Sequence, residues 1–418
     1  MSNNLQDTYQ SAYRVYHSTE TALLKVHHDI VTALDSNSCA VLLMLDLSAA
    51  FDVIDHSILV KRLKFSYGIG GDALAWIESY LTNRHQRVAV LSSTSADFQL
   101  NYGVPQGSVL GPKLYCMFSK PICEICRKHG MSFHSYADDT QVYMVVKPSL
   151  AWDKITRRLQ ACLSDISDWM KTNMLKLNQD KTELIIFSPK NRLGAFENCK
   201  INFDGQIIDA TSCVRNLGVL FDRTLTLDDQ ISSISKQCFY QLRNIGRIRK
   251  LISENACKTL VCSLVTSRLD YGNALLYGLS SSSLSKLQRI QNTAARIITR
   301  TKKHDHITPV LIALHWLPVE FRIQYKLVLT VFKALQEKSP AYIQNLVDVY
   351  FPSRSLRSEN SRFLVKPKAR TKFYGNRRFD VSAAELWNSL PAVLRLEENL
   401  TSFKKLLKTH LFKLAFYN

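Results

Sequence analysis

Three aspartates in this chain of 418 residues have the type and setting to do chemistry. Asp46 ends the apolar run Ala40-Val41-Leu42-Leu43-Met44-Leu45, and Asp138 and Asp139 stand side by side between two strand-like runs. If the strand and the hairpin are neighbours in one sheet, three carboxylates converge at one edge. Like charges cannot share a site without compensation. Oxygen-only ligands select Mg²⁺ or Mn²⁺. Two such ions would clamp the attacking and leaving oxygens of an in-line phosphoryl transfer. Taken alone, Asp138-Asp139 reads first as an ordinary turn, because Asp is a favoured turn residue.

The elements that must position these acids are legible in outline. The run before Asp46 lacks alternation and reads as a strand buried on both faces. Met131–Ala137 and Gln141–Val146 read as strands joined by Asp138-Asp139-Thr140, a hairpin with two carboxylates at its tip. Ahead of Asp46, residues 1–38 read as a loop and an amphipathic helix opened by Thr19 and Glu20. Helical patterns follow at Ser57–Phe65 and Asp72–Leu81, with Asp52 and Asp55 as candidate caps. Short strands are expected at Gln86–Leu91 and Phe98–Tyr102. A Gly- and Pro-rich loop, Gly103 to Pro112, leads into a helix to about Lys128, and residues 150–175 form another helix. Leu184–Phe187, Lys200–Phe203 and Val214–Leu220 read as strands. After about residue 226 the pattern is helical, through Ile231–Ile252, Leu284–Thr299 and a closing Ser402–Phe416.

Composition points to a folded chain of two or three domains: the apolar fraction is 46% and the charged fraction 21%. No run of 18 apolar residues suggests a membrane span, and the polar first twenty residues show no secretory leader. Ten cysteines without a repeated spacing read as reduced thiols in an intracellular protein. The formal charge is +19, of which residues 1–200 carry about +2 and residues 201–418 about +17. A strongly basic second half calls for a polyanion, nucleic acid before membrane. Arg243, Arg247, Arg249 and Lys250 mark one basic helix, and Lys286, Arg289, Arg296 and Arg300 another. Nine basic residues and one acid lie between Pro352 and Arg378, with Phe363, Phe373 and Tyr374 interleaved, a pattern that could hold a single strand by charge and stacking.

Further runs surround the acids in a fixed order: Asp46-Leu47-Ser48-Ala49-Ala50-Phe51-Asp52, Pro105-Gln106-Gly107-Ser108, Tyr136-Ala137-Asp138-Asp139, Leu177-Asn178-Gln179-Asp180-Lys181-Thr182-Glu183 and Leu217-Gly218-Val219. This series resembles the motif series of reverse transcriptases, and in detail the non-LTR (LINE-type, jockey-like) retrotransposon enzymes. The segments Gln10-Ser11-Ala12-Tyr13-Arg14 and His17-Ser18-Thr19-Glu20-Thr21-Ala22 look like theirs, as do Leu314-His315-Trp316-Leu317-Pro318-Val319 and Leu386-Trp387-Asn388-Ser389-Leu390-Pro391. The resemblance implies an α+β fold with a right-hand polymerase palm (an antiparallel sheet with helices), partial fingers, a helical thumb and a basic C-terminal domain. The implied boundaries are 1–38 for a remnant of the fingers, 39–190 for the palm, 191–225 for primer-grip strands, 226–300 for the thumb and 301–418 for the basic domain.

Site roles follow from the same resemblance. Asp46, Asp138 and Asp139 match the metal-binding carboxylates for two Mg²⁺ or Mn²⁺ ions. Phe51 matches the bulky side chain that blocks a ribose 2′-OH. Gln106 and Gly107 match the loop that contacts the incoming nucleotide and template. Lys181 matches a lysine near the nucleotide's phosphates, a proton donor to pyrophosphate. Leu217, Gly218 and Val219 resemble the primer grip. The implied partners are an RNA template, a DNA primer or target DNA, and dNTPs, with no membrane; target-primed integration in the family implies the nucleus. Only about 40 residues precede Asp46, so most of the fingers and the family's endonuclease are expected to be missing, as in a 5′-truncated copy. A non-catalytic nucleic-acid-binding remnant is therefore the alternative to an RNA-directed DNA polymerase. A viral-type RNA-dependent RNA polymerase is disfavoured by Phe51 and by Ala rather than Gly before the two acids. Cys123, Cys126, His129 and His134 have a zinc-like spacing, but they would have to span a helix, a loop and a strand. Buried thiols and surface histidines are the expectation there.

Overall fold

The computed structural model describes residues 6–48, 50–147, 152–196, 199–352 and 362–417. Ala49 and residues 353–361, which belong to two of the stretches singled out above, lie outside them. The chain is a mixture of helices and sheet and divides into two compact units. The first is Met1–Val15, Ala40–Ile186 and Arg192–Thr211; the second is Tyr16–Cys39, Phe187–Asn191 and Ser212–Asn418. Among the described residues no helix is long and apolar enough to cross a membrane.

The first unit is built on a six-stranded sheet. Its strands are β1 (Cys39–Leu45), β2 (Ser132–Tyr136), β3 (Asp139–Val146), β4 (Glu183–Phe187), β5 (Lys200–Phe203) and β6 (Gln206–Thr211), in the spatial order β5-β6-β4-β1-β3-β2. β1 is central, and Ala40, Val41, Leu42 and Leu43 have essentially no exposed surface. This is the unalternating apolar run expected of a strand covered on both faces. The helices α2 (His56–Tyr67), α3 (Gly71–Leu81), α4 (Gly111–Lys128) and α5 (Trp152–Thr172) complete the unit. α4 and α5 pack on each other, α4 on β2 and α5 on β5. Phe118, Ile155, Ile166, Ile185 and Ile186 are fully buried there; each such side chain contributes about 1.5–3 kcal/mol by leaving water.

The sheet is not antiparallel throughout. β2–β3 and β5–β6 are antiparallel, but β6 runs parallel to β4, with Leu184 opposite Ala210. The reversal at Asp204-Gly205 is the reason: both residues take positive φ, 48° and 86°, as a tight two-residue turn requires. β5 therefore runs back and β6 forward again along β4. Sequence reading missed β6, although Asp-Gly between two short apolar runs is a strong hairpin signal.

In the second unit, α1 (Thr19–Asp35) opens with a reciprocal capping box. Ser18 accepts from the Thr21 amide at 3.2 Å and Thr21 accepts from the Ser18 amide at 3.0 Å. Val214–Leu220 is not one strand but a hairpin, β7 (Cys213–Asn216) and β8 (Val219–Asp222), antiparallel about Leu217-Gly218. Helices follow, among them α6 (Asp228–Ile248), Ser281–Thr299, Val319–Leu335 and Leu400–Phe416.

Several of the basic residues counted as a nucleic-acid face are internal. Arg249 is buried and donates to the carbonyls of Ile252, Ile297 and Ile298. It satisfies carbonyls left open at the end of the Ser281–Thr299 helix, where a cation is favoured. Arg296, which is not buried, also turns its guanidinium to the chain, donating to the Lys302 and Asp305 carbonyls. Arg377 is 4% exposed and donates to the Leu225 carbonyl at 2.6 Å; burial lowers its pKa to about 10. Asp35, at the end of α1, accepts from the amides of Arg370 and Thr371 and from the Arg378 guanidinium.

Candidate active site

Asp46 follows β1 directly, and β1 lies beside β3 in the sheet. β2 and β3 close through a two-residue turn in which Tyr136 pairs with Asp139 and Ala137 and Asp138 form the tip. Asp139 thus opens β3 rather than standing in the loop, and adjacent strands carry Asp46 and the Asp138–Asp139 pair. The neighbouring charges register at Asp139. The Asp139 carboxyl has its pKa raised, first by partial withdrawal from water and then by the negative charges of Asp138 and Asp46.

Lys181 reaches the same place by a separate route. Leu47 and Ser48 pair antiparallel with Leu177 and Lys176, and the Asn178 amide donates to the Asp46 carbonyl at 2.9 Å. A turn of 3₁₀ helix, Gln179–Lys181, then sets Lys181 Nζ 3.6 Å from Asp46 Oδ2. Lys181 is exposed and Asp46 partly so, and solvent screening leaves the pair little to add to stability.

Phe51 is half-buried, its ring centroid 4.8 Å from that of Tyr115 with the planes 32° apart. Tyr115 lies on α4, fully buried; burial and then the charges of Asp138, Cys116 and Asp139 hold its pKa well above the usual range. The Cys116 thiol is pushed up to about 12, first by burial and then by Asp138. The backbone around Phe51 is fixed from the other side. Val104 N–H donates to the Phe51 carbonyl at 2.8 Å, and Gly103 at φ 81° lies so close that a Cβ there would sit 2.7 Å from the Asp52 carbonyl oxygen. Only glycine fits that approach.

Asp55 caps α2, accepting from the Ile58 amide at 2.9 Å, but Asp52 does not. It accepts instead from Gln106 Nε2 at 2.8 Å, which ties the segment after Asp46 to the Gln106-Gly107 loop. Gly107 takes φ 81° in that loop. Leu217 and Gly218, in the second unit, take φ 40° and 86°; Tyr271 Oη donates to the Leu217 carbonyl at 2.6 Å and Arg215 to the Gly218 carbonyl at 3.2 Å.

The donor set fits a hard divalent cation: it is all oxygen, and the like charges around Asp139 are what a cation would relieve. The side chains are not drawn into a closed cage. Among the described residues no group of three or more His, Cys, Asp or Glu is arranged to hold a metal ion. This includes the zinc-like spacing: Cys123 and Cys126 are buried on α4, His129 bonds Asp165 at 2.9 Å and His134 bonds Ser11 Oγ at 2.8 Å. Two contributors had no assigned role from sequence: Tyr115, and Gln10, whose side chain bonds the Ala137 amide at 3.1 Å and was visible only within the Gln10–Arg14 segment.

Residues 1–221, more than half of the chain, match the family model described as reverse transcriptase (RNA-dependent DNA polymerase). The chain belongs to this family. It is 28% identical over 303 residues to the RNA-directed DNA polymerase from mobile element jockey of Drosophila melanogaster, covering 70% of this chain and 32% of that one. It is 27% identical over 307 residues to the "Probable RNA-directed DNA polymerase from transposon BS" of the same organism, with the same coverage. The jockey-like, LINE-type resemblance read from the motifs is borne out by these relatives. The chain spans about a third of the length of the curated relatives it matches. A solved telomerase from Candida albicans, in complex with a fragment of telomeric RNA, covers 73% of this chain and 53% of its own at 14% identity, with a TM-score of 0.32.

Proposed function

We propose that this reverse-transcriptase-family chain is an RNA-directed DNA polymerase that adds dNTPs to a primer 3′-OH. The observation that carries the reading is the placement of Asp46, at the end of β1, beside the Asp138–Asp139 turn that opens the neighbouring strand β3. In the reaction the 3′-oxygen bonds the α-phosphorus, the α–β bridging bond breaks, and pyrophosphate leaves. Asp46, Asp138 and Asp139 would hold two Mg²⁺ or Mn²⁺ ions. When bound, such ions supply charge neutralisation and a more acidic 3′-hydroxyl.

The remaining roles belong to the chain's own side chains. Phe51, braced by Tyr115, excludes a ribose 2′-OH by shape. Gln106, held by Asp52, and Gly107 present the loop to the incoming nucleotide and template. Lys181, an ammonium beside Asp46, can give a proton to departing pyrophosphate. Leu217 and Gly218 at the hairpin tip, with Val219 opening the next strand, would contact a primer backbone. On this reading residues 39–190 are the palm, 191–225 the primer-grip strands, 226–300 the thumb and 301–418 a basic domain. Exposed Arg243, Arg247, Lys250, Lys286 and Arg289 supply the charge for a nucleic-acid backbone. The nucleus is the compartment that such a role implies.

Purified protein should extend a DNA primer on an RNA template with dNTPs and Mg²⁺. Asp138→Ala should lower the rate by a factor on the order of 10³ or more, because an uncompensated charge cluster then loses a cation ligand. Template–primer binding without extension, unchanged by Asp138→Ala, would leave only the non-catalytic nucleic-acid binder.

A further inference from the structure

Ala137 is strained. It takes φ 58°, in the left-handed region that costs a residue with a Cβ, and it sits immediately before Asp138 and Asp139. Such a backbone persists only where its surroundings hold it. Gln10 holds it here. Its Oε1 accepts from the Ala137 amide at 3.1 Å and from the Ala12 amide at 2.9 Å, and its Nε2 donates to the Ala137 carbonyl at 3.3 Å. One side-chain amide therefore grips both polar atoms of the strained residue, and Gln10 is only 5% exposed.

The segment that carries Gln10 is itself fastened along the outer edge of β2. Gln10 bridges Ser135 in parallel, the Ser11 amide donates to the Ser135 carbonyl at 2.9 Å, and the Ser135 amide donates to the Tyr9 carbonyl at 2.9 Å. Ser11 Oγ bonds His134 Nε2 at 2.8 Å, and Arg14 donates back to the Gln10 carbonyl at 2.9 Å. Tyr13, on the same segment, has its hydroxyl pKa raised first by burial and then by Cys116, Asp138 and Tyr136.

We propose that Gln10 is a positioning residue that locks the Ala137 peptide and thereby sets the direction in which the Asp138 and Asp139 carboxylates leave the turn. It touches neither carboxylate. The inference rests on the reading of those acids as cation ligands.

Gln10→Met keeps the length of the side chain and removes all three bonds. With it, hydrogen–deuterium exchange of the peptide containing Ala137 should quicken by roughly tenfold, the loss of about one net hydrogen bond. Primer extension should fall by about 30-fold in kcat, as a misplaced reacting group does. KM for dNTP should stay within about twofold, and the half-saturating Mg²⁺ concentration should rise, since binding groups are intact and only the acids are misaimed. Adding Ala137→Gly should recover most of the loss, because glycine adopts that φ unaided. A merely structural role would lower the unfolding temperature without moving the Mg²⁺ dependence and without rescue by Ala137→Gly. If Gln10→Met fails to fold, Gln10→Asn, one methylene too short to reach, carries the same expectations. Unchanged exchange at Ala137, or unchanged kcat and Mg²⁺ dependence while Asp138→Ala is inactive, overturns the positioning role alone. A wild-type chain that extends no primer overturns the polymerase reading instead, and the exchange of Ala137 then still decides whether Gln10 holds the turn.

Discussion

Phe51 owes its place to three contacts: the Tyr115 ring beneath it, the Val104 amide on its carbonyl, and Gly103 pressed against Asp52. On the proposed reading, the Tyr115 ring against Phe51 and the fixed backbone on either side make the cost of a ribonucleotide fall on the ligand. Phe51→Val should therefore lower the preference for dNTPs over rNTPs, measured as a ratio of kcat/KM values, by roughly 100-fold, the scale on which a shaped apolar wall discriminates. An unchanged ratio would remove Phe51 from the gate. At this scale the sequence is partly opaque. Asp52 reads as a helix cap because Asp near a helix start usually is one. Its true partner is Gln106, 54 residues later, and no local pattern announces so distant a bond.

Whole elements were more legible than their joints. An apolar run without alternation marked β1, and an Asp pair between strand-like runs marked the hairpin. The joint at Leu217-Gly218 was hidden because Leu217, an apolar residue at φ 40°, prolongs the strand pattern through the turn. The most consequential joint that sequence could not show is at the end of α1. Asp35 has 1% of its side chain exposed; burial alone would raise its pKa, but the Thr371 and Arg370 amides, the Thr371 hydroxyl and Arg378 outweigh it and the net shift is downward from 3.8. A depressed carboxyl stabilises the fold above its unfolded pKa, and that stability is lost as pH falls through the folded value. Asp35→Asn, which sets an NH₂ against those donors, should cost about 3 kcal/mol near pH 7. The difference from wild type in urea unfolding should hold from pH 7 to about 4.5 and shrink below about pH 4. A difference that is absent, or that grows on acidification, would contradict this account of the joint.

For the molecule as a whole, net charge is a blunter guide than it looked. The +19 total includes Arg249, Arg377 and Arg395, which are buried, so a count along the chain overstates the surface field. What remains exposed on α6 and on Ser281–Thr299 still favours a polyanion. The larger matter is that the chain's course brings Asp46, Asp138 and Asp139, far apart in sequence, to neighbouring strands. The central claim is that one cation site draws on all three. Fe²⁺ put in place of Mg²⁺, with ascorbate and peroxide, breaks a protein backbone beside the bound ion and so reports its neighbours directly. The account predicts two cuts, one beside Asp46 and one beside Asp138–Asp139, both suppressed by excess Mg²⁺ and both lost in Asp138→Ala; a cut at only one of these places, or cuts indifferent to Mg²⁺, would contradict it.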